Sequence, residues 1–188
     1  RLRAKLLRIF GKGWISPRSA HELAVMDYLP HTLIRDINSS ESATHLRELG
    51  VDVLVVCVCK NILRSKLLAT HNLQFVNIHP SLLPHYRGPT PTFWMLYHAE
   101  PRTGYTIHRM VSEVDGGTIL AQGELPLDNR KSELQIELEV FSAAAEILVE
   151  TLLSLKDASG EGEKPNRLED KSAYGEPSRG GDKLVYWE

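Results

Sequence analysis

Asn77 and His79 stand two positions apart in the run Phe75-Val76-Asn77-Ile78-His79, which reads as a short strand ended by Pro80. Side chains alternate across a strand, so a spacing of two sends the amide and the imidazole to one face. At the carboxyl end of a strand, where open α/β sheets place their ligand crevices, the pair can stabilise a developing oxyanion, and the imidazole can pass a proton to a leaving group near neutral pH. Asp115, in Asp115-Gly116-Gly117 between two apolar runs, is a third candidate. Carried into the same crevice, its carboxylate would favour the charged imidazole and accept a proton from an attacking nucleophile. Each residue also has a plainer use. Asn77 and His79 could tie down the proline-rich loop that follows them, and Asp-Gly-Gly could supply the positive backbone dihedrals of a hairpin turn. Local sequence leaves both uses open.

These side chains can meet only if other elements hold the strand and the turn together. The unbroken apolar run within residues 51–59 reads as a strand buried on both faces, which marks a parallel sheet. Ahead of it, Ser39 and Ser40 offer an N-cap, Ala43, Leu46 and Leu49 fall at helical spacing, and Gly50 suits a helix end, so a helix is expected over 40–49. Thr32 to Ile37 reads as another strand, a helix is expected near 91–99, and strands over 104–111 and 118–127. Ser132-Glu133-Leu134-Gln135 resembles a capping box. Behind it Leu134, Leu138, Phe141, Ala145, Leu148, Leu152 and Leu155 form the stripe of the longest helix, expected to cover one sheet face. At the front, residues 1–10 read as a basic amphipathic helix, 11–18 as a loop and 19–28 as a short helix; after Lys156 the chain turns polar until Leu184-Val185-Tyr186-Trp187.

Composition narrows the function. The chain has 188 residues, 42% of them apolar, enough for one sizeable core. With 22 Lys+Arg against 24 Asp+Glu, neither a nucleic-acid coat nor a polybasic membrane anchor is expected. The longest strongly apolar run, Val53 to Cys59, falls far short of the roughly 20 residues a spanning helix needs. Two cysteines inside that run point to a reducing, cytoplasmic setting rather than to disulfides. The His and Cys residues follow no metal-site spacing, and no phosphate-loop, dinucleotide or nucleophile-elbow motif occurs, so no metal is expected.

The segment Asn77-Ile78-His79-Pro80-Ser81-Leu82-Leu83-Pro84, followed by Tyr86-Arg87-Gly88, Pro91, Trp94, then Gly104, Thr106, His108 and Asp115-Gly116-Gly117, resembles the 10-formyltetrahydrofolate-dependent formyltransferase family. There a motif of form N-x-H-x-S-L-L-P precedes a T-x-H strand and a D-x-G turn, and all three signals stand here in the same order. Arg87-Gly88 and the Trp94 helix are more similar to the methionyl-tRNA and amino-sugar formyltransferases than to the purine-biosynthetic enzyme.

The resemblance implies an α/β fold with a Rossmann-like, mostly parallel sheet and flanking helices. The family's first strand, glycine turn, helix and second strand have no counterpart before Arg1, so a piece of a longer protein is expected, with a catalytic domain over 1–156 and a polar linker or tail over 157–188. Asn77 and His79 would hold and protonate a tetrahedral intermediate, and Asp115 would orient or proton-couple the site. The folate co-substrate, 10-formyltetrahydrofolate, would lie against Lys60, Asn61, Ile62, Leu63 and Val111, Ser112, Glu113, Val114, with Ser81, Arg87, Gly88 and His108 as pocket or support. The acceptor would be a primary amine, on a sugar nucleotide or on initiator methionyl-tRNA. The alternatives are a formyltetrahydrofolate hydrolase, with water as acceptor, and a non-catalytic folate- or nucleotide-binding homologue.

Overall fold

Ser39 opens the first helix: its hydroxyl oxygen accepts from the Ser42 amide at 3.1 Å, filling one of the donors that every helix start leaves unpaired. The helix, α1, runs Ser40–Glu48, and Gly50 beyond it takes φ +57°, a left-handed exit natural to glycine. The computed structural model describes residues 30–59, 61–69 and 73–157. The expected elements at 1–28, the tail after 157 and Lys60 fall outside these residues.

Beyond α1 come β1 (Val53–Cys57), α2 (Ser65–Leu68), β2 (Gln74–His79), α3 (Pro91–Tyr97), β3 (Arg102–Arg109), β4 (Ile119–Pro126) and α4 (Glu133–Asp157). Among the described residues the strands form one sheet in the order β1-β2-β3-β4. The parallel pairing expected from the apolar run is found between β1 and β2, whereas β2–β3 and β3–β4 are antiparallel, so the described sheet is mixed. The capping box holds: Gln135 Oε1 accepts from the Ser132 amide at 2.9 Å and Ser132 Oγ accepts from the Gln135 amide at 3.4 Å.

Two apolar clusters cover the two sheet faces. Val76, Ile78, Tyr105 and Ile107 point to one, which α4 closes with Ile136, Val140, Ala144 and Leu155. Leu54, Val56 and Phe75 point to the other, closed by Leu46 of α1 and by Leu63 and Leu67 around α2. Strand β1 therefore has apolar cover on both sides, although unevenly: Leu54 and Val56 are buried, and Val53 and Val55 only half so. On the second face α1 and α2 sit over the β1 side. The continuation of that face across β2 and β3 is where the polar side chains collect.

Two expectations need correcting. Residues 32–37 form no strand; Asp36 instead makes a turn, its Oδ1 accepting from the Asn38 amide at 2.9 Å and its carbonyl from the Ser39 amide at 3.2 Å, which leads directly into the α1 cap. The inward stripe of α4 is also rotated at its start, since Leu134 and Leu138 are exposed while Ile136 and Val140 are buried. Both sets are apolar and both run at a spacing of four, so only docking on β3 and β4 selects between them.

Candidate active site

Phe75, Asn77 and His79 alternate onto the second face of the sheet, Phe75 in the apolar cluster and the polar pair toward the carboxyl end of β2. The antiparallel register sets His108 opposite Asn77 and Thr106 opposite His79. Next to these positions the β3–β4 register shifts between Ile107 and His108, a bulge-like irregularity of the kind that re-aims side chains beside functional sites.

Hydrogen bonds fix the state of each ring. His108 Nδ1 lies 2.9 Å from the Arg109 carbonyl, which can only accept, so Nδ1 carries the proton and Nε2 accepts from Asn77 Nδ2 at 3.2 Å. This is a neutral imidazole. Burial, the largest influence, pushes the His108 pKa below its ordinary 6.5, against the opposing pull of the Arg109 carbonyl and of Asp115; His79 and Arg87 add to the lowering. One amide N–H of Asn77 is thereby committed to His108.

His79 is arranged the other way round. Its Nε2 donates to the Tyr86 carbonyl at 2.8 Å, and its Nδ1 faces Asp115 Oδ2 at 3.7 Å. That same Oδ2 accepts from the Gly88 amide at 2.8 Å, and Oδ1 lies 3.6 Å from His108 Nε2. The carboxylate thus stands between two imidazoles, with side-chain exposures of 12% for Asp115, 6% for His79 and 1% for His108, in a setting dry enough to strengthen each charge interaction. Asp115-Gly116-Gly117 is not the apex of a tight hairpin: it lies in the longer 110–118 connection between β3 and β4, where Asp115 itself takes φ +49°.

A buried hydroxyl network shapes the loop that meets His79. Ser81 Oγ donates to the His85 carbonyl at 2.7 Å, and Thr106 Oγ1 donates to the Ser81 carbonyl at 2.6 Å while accepting from the Leu83 amide at 3.0 Å. Gln122 Nε2 adds bonds to the Leu83 carbonyl and to Thr106 Oγ1, both at 2.8 Å. Ser81 acts here as a loop brace. Thr106 and Tyr86 stood among the motif residues but were given no role from the sequence, and Gln122 was not singled out. Thr106 shares its face with His108 by spacing, but Gln122 is recognisable only from the β3–β4 register.

Arg87 Nη1 donates to Glu113 Oε1 at 2.9 Å, joining the 81–90 loop to the 110–118 loop. Of the expected folate-loop positions, Asn61 and Ile62 are exposed and Leu63 is buried, while Val111, Ser112 and Glu113 are exposed and Val114 is half-buried. Leu63 and Met110 border the same apolar cluster, so the segments after β1 and β3 flank one patch. Asn38 holds the first of them, its Nδ2 donating to the Ile62 carbonyl at 2.9 Å and its Oδ1 accepting from the Arg64 amide at 2.8 Å. Around this ground Val58, Tyr86 and Asp115 all adopt φ between +49° and +56°, a conformation that costs non-glycine residues on the order of 1–3 kcal/mol each and that clusters at functional sites. Among the described residues no group of three or more His, Cys, Asp or Glu is placed to hold a metal ion, and no helix is long and apolar enough to cross a membrane.

A family model described as formyl transferase matches residues 24–152, spanning every element of this site. The chain belongs to the formyl transferase family. Within it, the chain is 37% identical over 142 residues to a methionyl-tRNA formyltransferase of Thermotoga maritima, covering 76% of this chain and 45% of that protein. It is 40% identical over 135 residues to one from Roseiflexus sp. (strain RS-1), covering 72% and 40%. The chain thus spans less than half the length of these curated relatives. A solved sugar N-formyltransferase from Shewanella sp. superposes with a TM-score of 0.62 at 29% identity, over 80% of this chain and 58% of that one. Phosphoribosylglycinamide formyltransferase from Bacillus halodurans shares the fold, with a TM-score of 0.68 at 22% identity over 85% and 83%. The mixed sheet with flanking helices is accordingly the formyl transferase fold.

His108 gives a pH-dependent test of this geometry. Its folded-state pKa lies below the unfolded value, so its contribution to stability is complete above about pH 6.5 and is lost as pH falls toward the folded value, because only the unfolded chain takes up the proton there. Denaturant unfolding measured from about pH 7.5 down to about pH 5 is expected to show falling stability, with a shallower fall in His108→Gln. Parallel curves for the two proteins would contradict the neutral, buried assignment.

Proposed function

We propose that the chain carries the catalytic part of an enzyme that moves a formyl group from 10-formyltetrahydrofolate to a primary amine. The observation that carries this reading is the convergence of Asn77, His79, His108 and Asp115 within hydrogen-bond or ion-pair reach at the end of β2. The acceptor nitrogen attacks the formyl carbon and a C–N bond forms; the carbonyl oxygen gains charge, the bond from that carbon to N10 breaks, and N10 leaves with a proton. The free N–H of Asn77 and the Nδ1 side of His79 are the donors placed to meet that oxygen. With Nε2 committed to the Tyr86 carbonyl, His79 can donate from Nδ1 only as an imidazolium, and Asp115 beside Nδ1 is the charge that suits this form. Asp115 takes the proton lost by the amine, and His79 delivers one to N10.

The folate would bind at the patch bordered by residues 61–63 and 111–114, where main-chain groups and the exposed apolar side chains Ile62 and Val111 suit a flat heterocycle. Holding both substrates there supplies much of the acceleration through orientation. The methionyl amine of a charged tRNA is the acceptor supported by the 37–40% identity to the methionyl-tRNA formyltransferases. An amino sugar is the second reading, supported by the likeness to the Shewanella sugar N-formyltransferase. The chain, given 10-formyltetrahydrofolate with methionyl-tRNA or with a nucleotide-linked amino sugar, is expected to yield one formyl amide detectable by mass. Accumulation of formate would identify a hydrolase instead, and folate binding without either product a non-catalytic homologue.

A further inference from the structure

Two consecutive residues of the loop below His79 grip two positions of the loop that carries Asp115. Gly88 gives its amide to Asp115 Oδ2 at 2.8 Å, and Arg87 gives Nη1 to Glu113 Oε1 at 2.9 Å. We infer that Arg87 and Glu113 are positioning residues, a latch that sets the distance between the Asp115 carboxylate and the Nδ1 of His79. This deepens the proposed formyl transfer and rests on it for the role of Asp115.

Three further observations support the latch. Inside the 110–118 connection the one main-chain bond found between Glu113 and Asp115's neighbour is long, Gly116 N to the Glu113 carbonyl at 3.3 Å, so the loop's own hydrogen bonding fixes Asp115 loosely. The side chain of Glu113 lies folded over Gly116: a Cβ built there would come within 2.6 Å of the Glu113 carboxyl carbon and 2.8 Å of Oε2. A side chain at 116 would push the carboxylate off Arg87. Lastly, Arg87 Nε is buried and has no hydrogen-bond partner among the described residues, an arrangement that stability alone does not favour. The groups facing the Asp115 carboxylate are then His79 and His108, with the Arg87 guanidinium held to the side by Glu113.

The Glu113 side chain is 64% exposed, and pairs of this kind contribute little to stability, so removing its charge should leave the fold intact. The variants are Glu113→Gln and Gly116→Ala, with Asp115→Asn as reference and Arg130→Ala, which breaks the exposed Arg130–Asp128 pair, as control. Two readouts are taken on the full chain. One is the ring chemical shifts of His79, which need no turnover. The other is kcat and KM with 10-formyltetrahydrofolate and whichever of methionyl-tRNA or the amino sugar the parent formylates. Both latch variants are expected to move the His79 shifts toward those of Asp115→Asn and to lower kcat on the order of 10-fold, short of the roughly 10²-fold cost of a ~1 Å misplacement. Arg130→Ala should match the parent in both. His79 shifts identical to the parent's in Glu113→Gln and Gly116→Ala overturn the latch whether or not the parent turns over. A parent that formylates nothing while the shifts still move overturns the reaction and leaves the latch standing.

Discussion

His79→Gln is expected to lower formyl transfer by about 10²- to 10⁴-fold, the usual contribution of a positioned acid–base group, while the protein stays folded. The choice of glutamine follows from the geometry. Its amide nitrogen can replace the imidazole Nε2 as donor to the Tyr86 carbonyl, so the braced 81–86 loop keeps its anchor. What disappears is Nδ1, the nitrogen that faces Asp115. His79→Ala would be a poorer test, since it also leaves the Tyr86 carbonyl without this partner, at a cost of about 1–3 kcal/mol. Single-turnover rates beside thermal midpoints separate the two effects. A rate for His79→Gln within about threefold of the parent would remove His79 from the chemistry.

Asp115→Asn is the second large effect, a fall in kcat on the order of 10²- to 10³-fold. Asparagine tolerates the φ of +49° and keeps an oxygen to accept from the Gly88 amide, so the substitution removes little beyond the charge between His79 and His108. Asp115→Gly divides the alternatives further. If Asp115 only builds a turn, glycine relieves its left-handed strain and activity is preserved or improved in both variants. If the carboxylate is needed, both lose activity, Asp115→Gly more because it also releases Gly88. Measured kcat for the two variants, with KM for the folate as the indicator of intact binding, decides between a turn and a charge.

The helix over 40–49 was legible because its signals are local: a serine cap, apolar residues at helical spacing and a glycine exit. Strand β2 and the shared face of Asn77 and His79 were legible for the same reason, since alternation is a property of the strand itself. The strand expected at 32–37 was not, because a stretch rich in β-branched residues becomes a strand only when a partner ladder exists, and here an Asp36 turn competes successfully. In α4 the helix was plain but its inward face was not. Leu134 and Leu138 compete with Ile136 and Val140 for the same sheet, and the winner depends on where β3 and β4 lie.

The amino-acid order by itself determined which chemical groups are present and which of them share a strand face, because bond geometry and side-chain alternation act over a few residues. It also placed the chain in its family through the three spaced motifs. Only the tertiary structure decided that Asp115 enters the crevice instead of capping a hairpin, that His108 is the neutral partner of Asn77, and which nitrogen of His79 faces the Asp115 carboxylate. Those outcomes depend on contacts between positions from 7 to 36 residues apart. They rest on β-sheet register, loop bracing and burial, which no local pattern encodes.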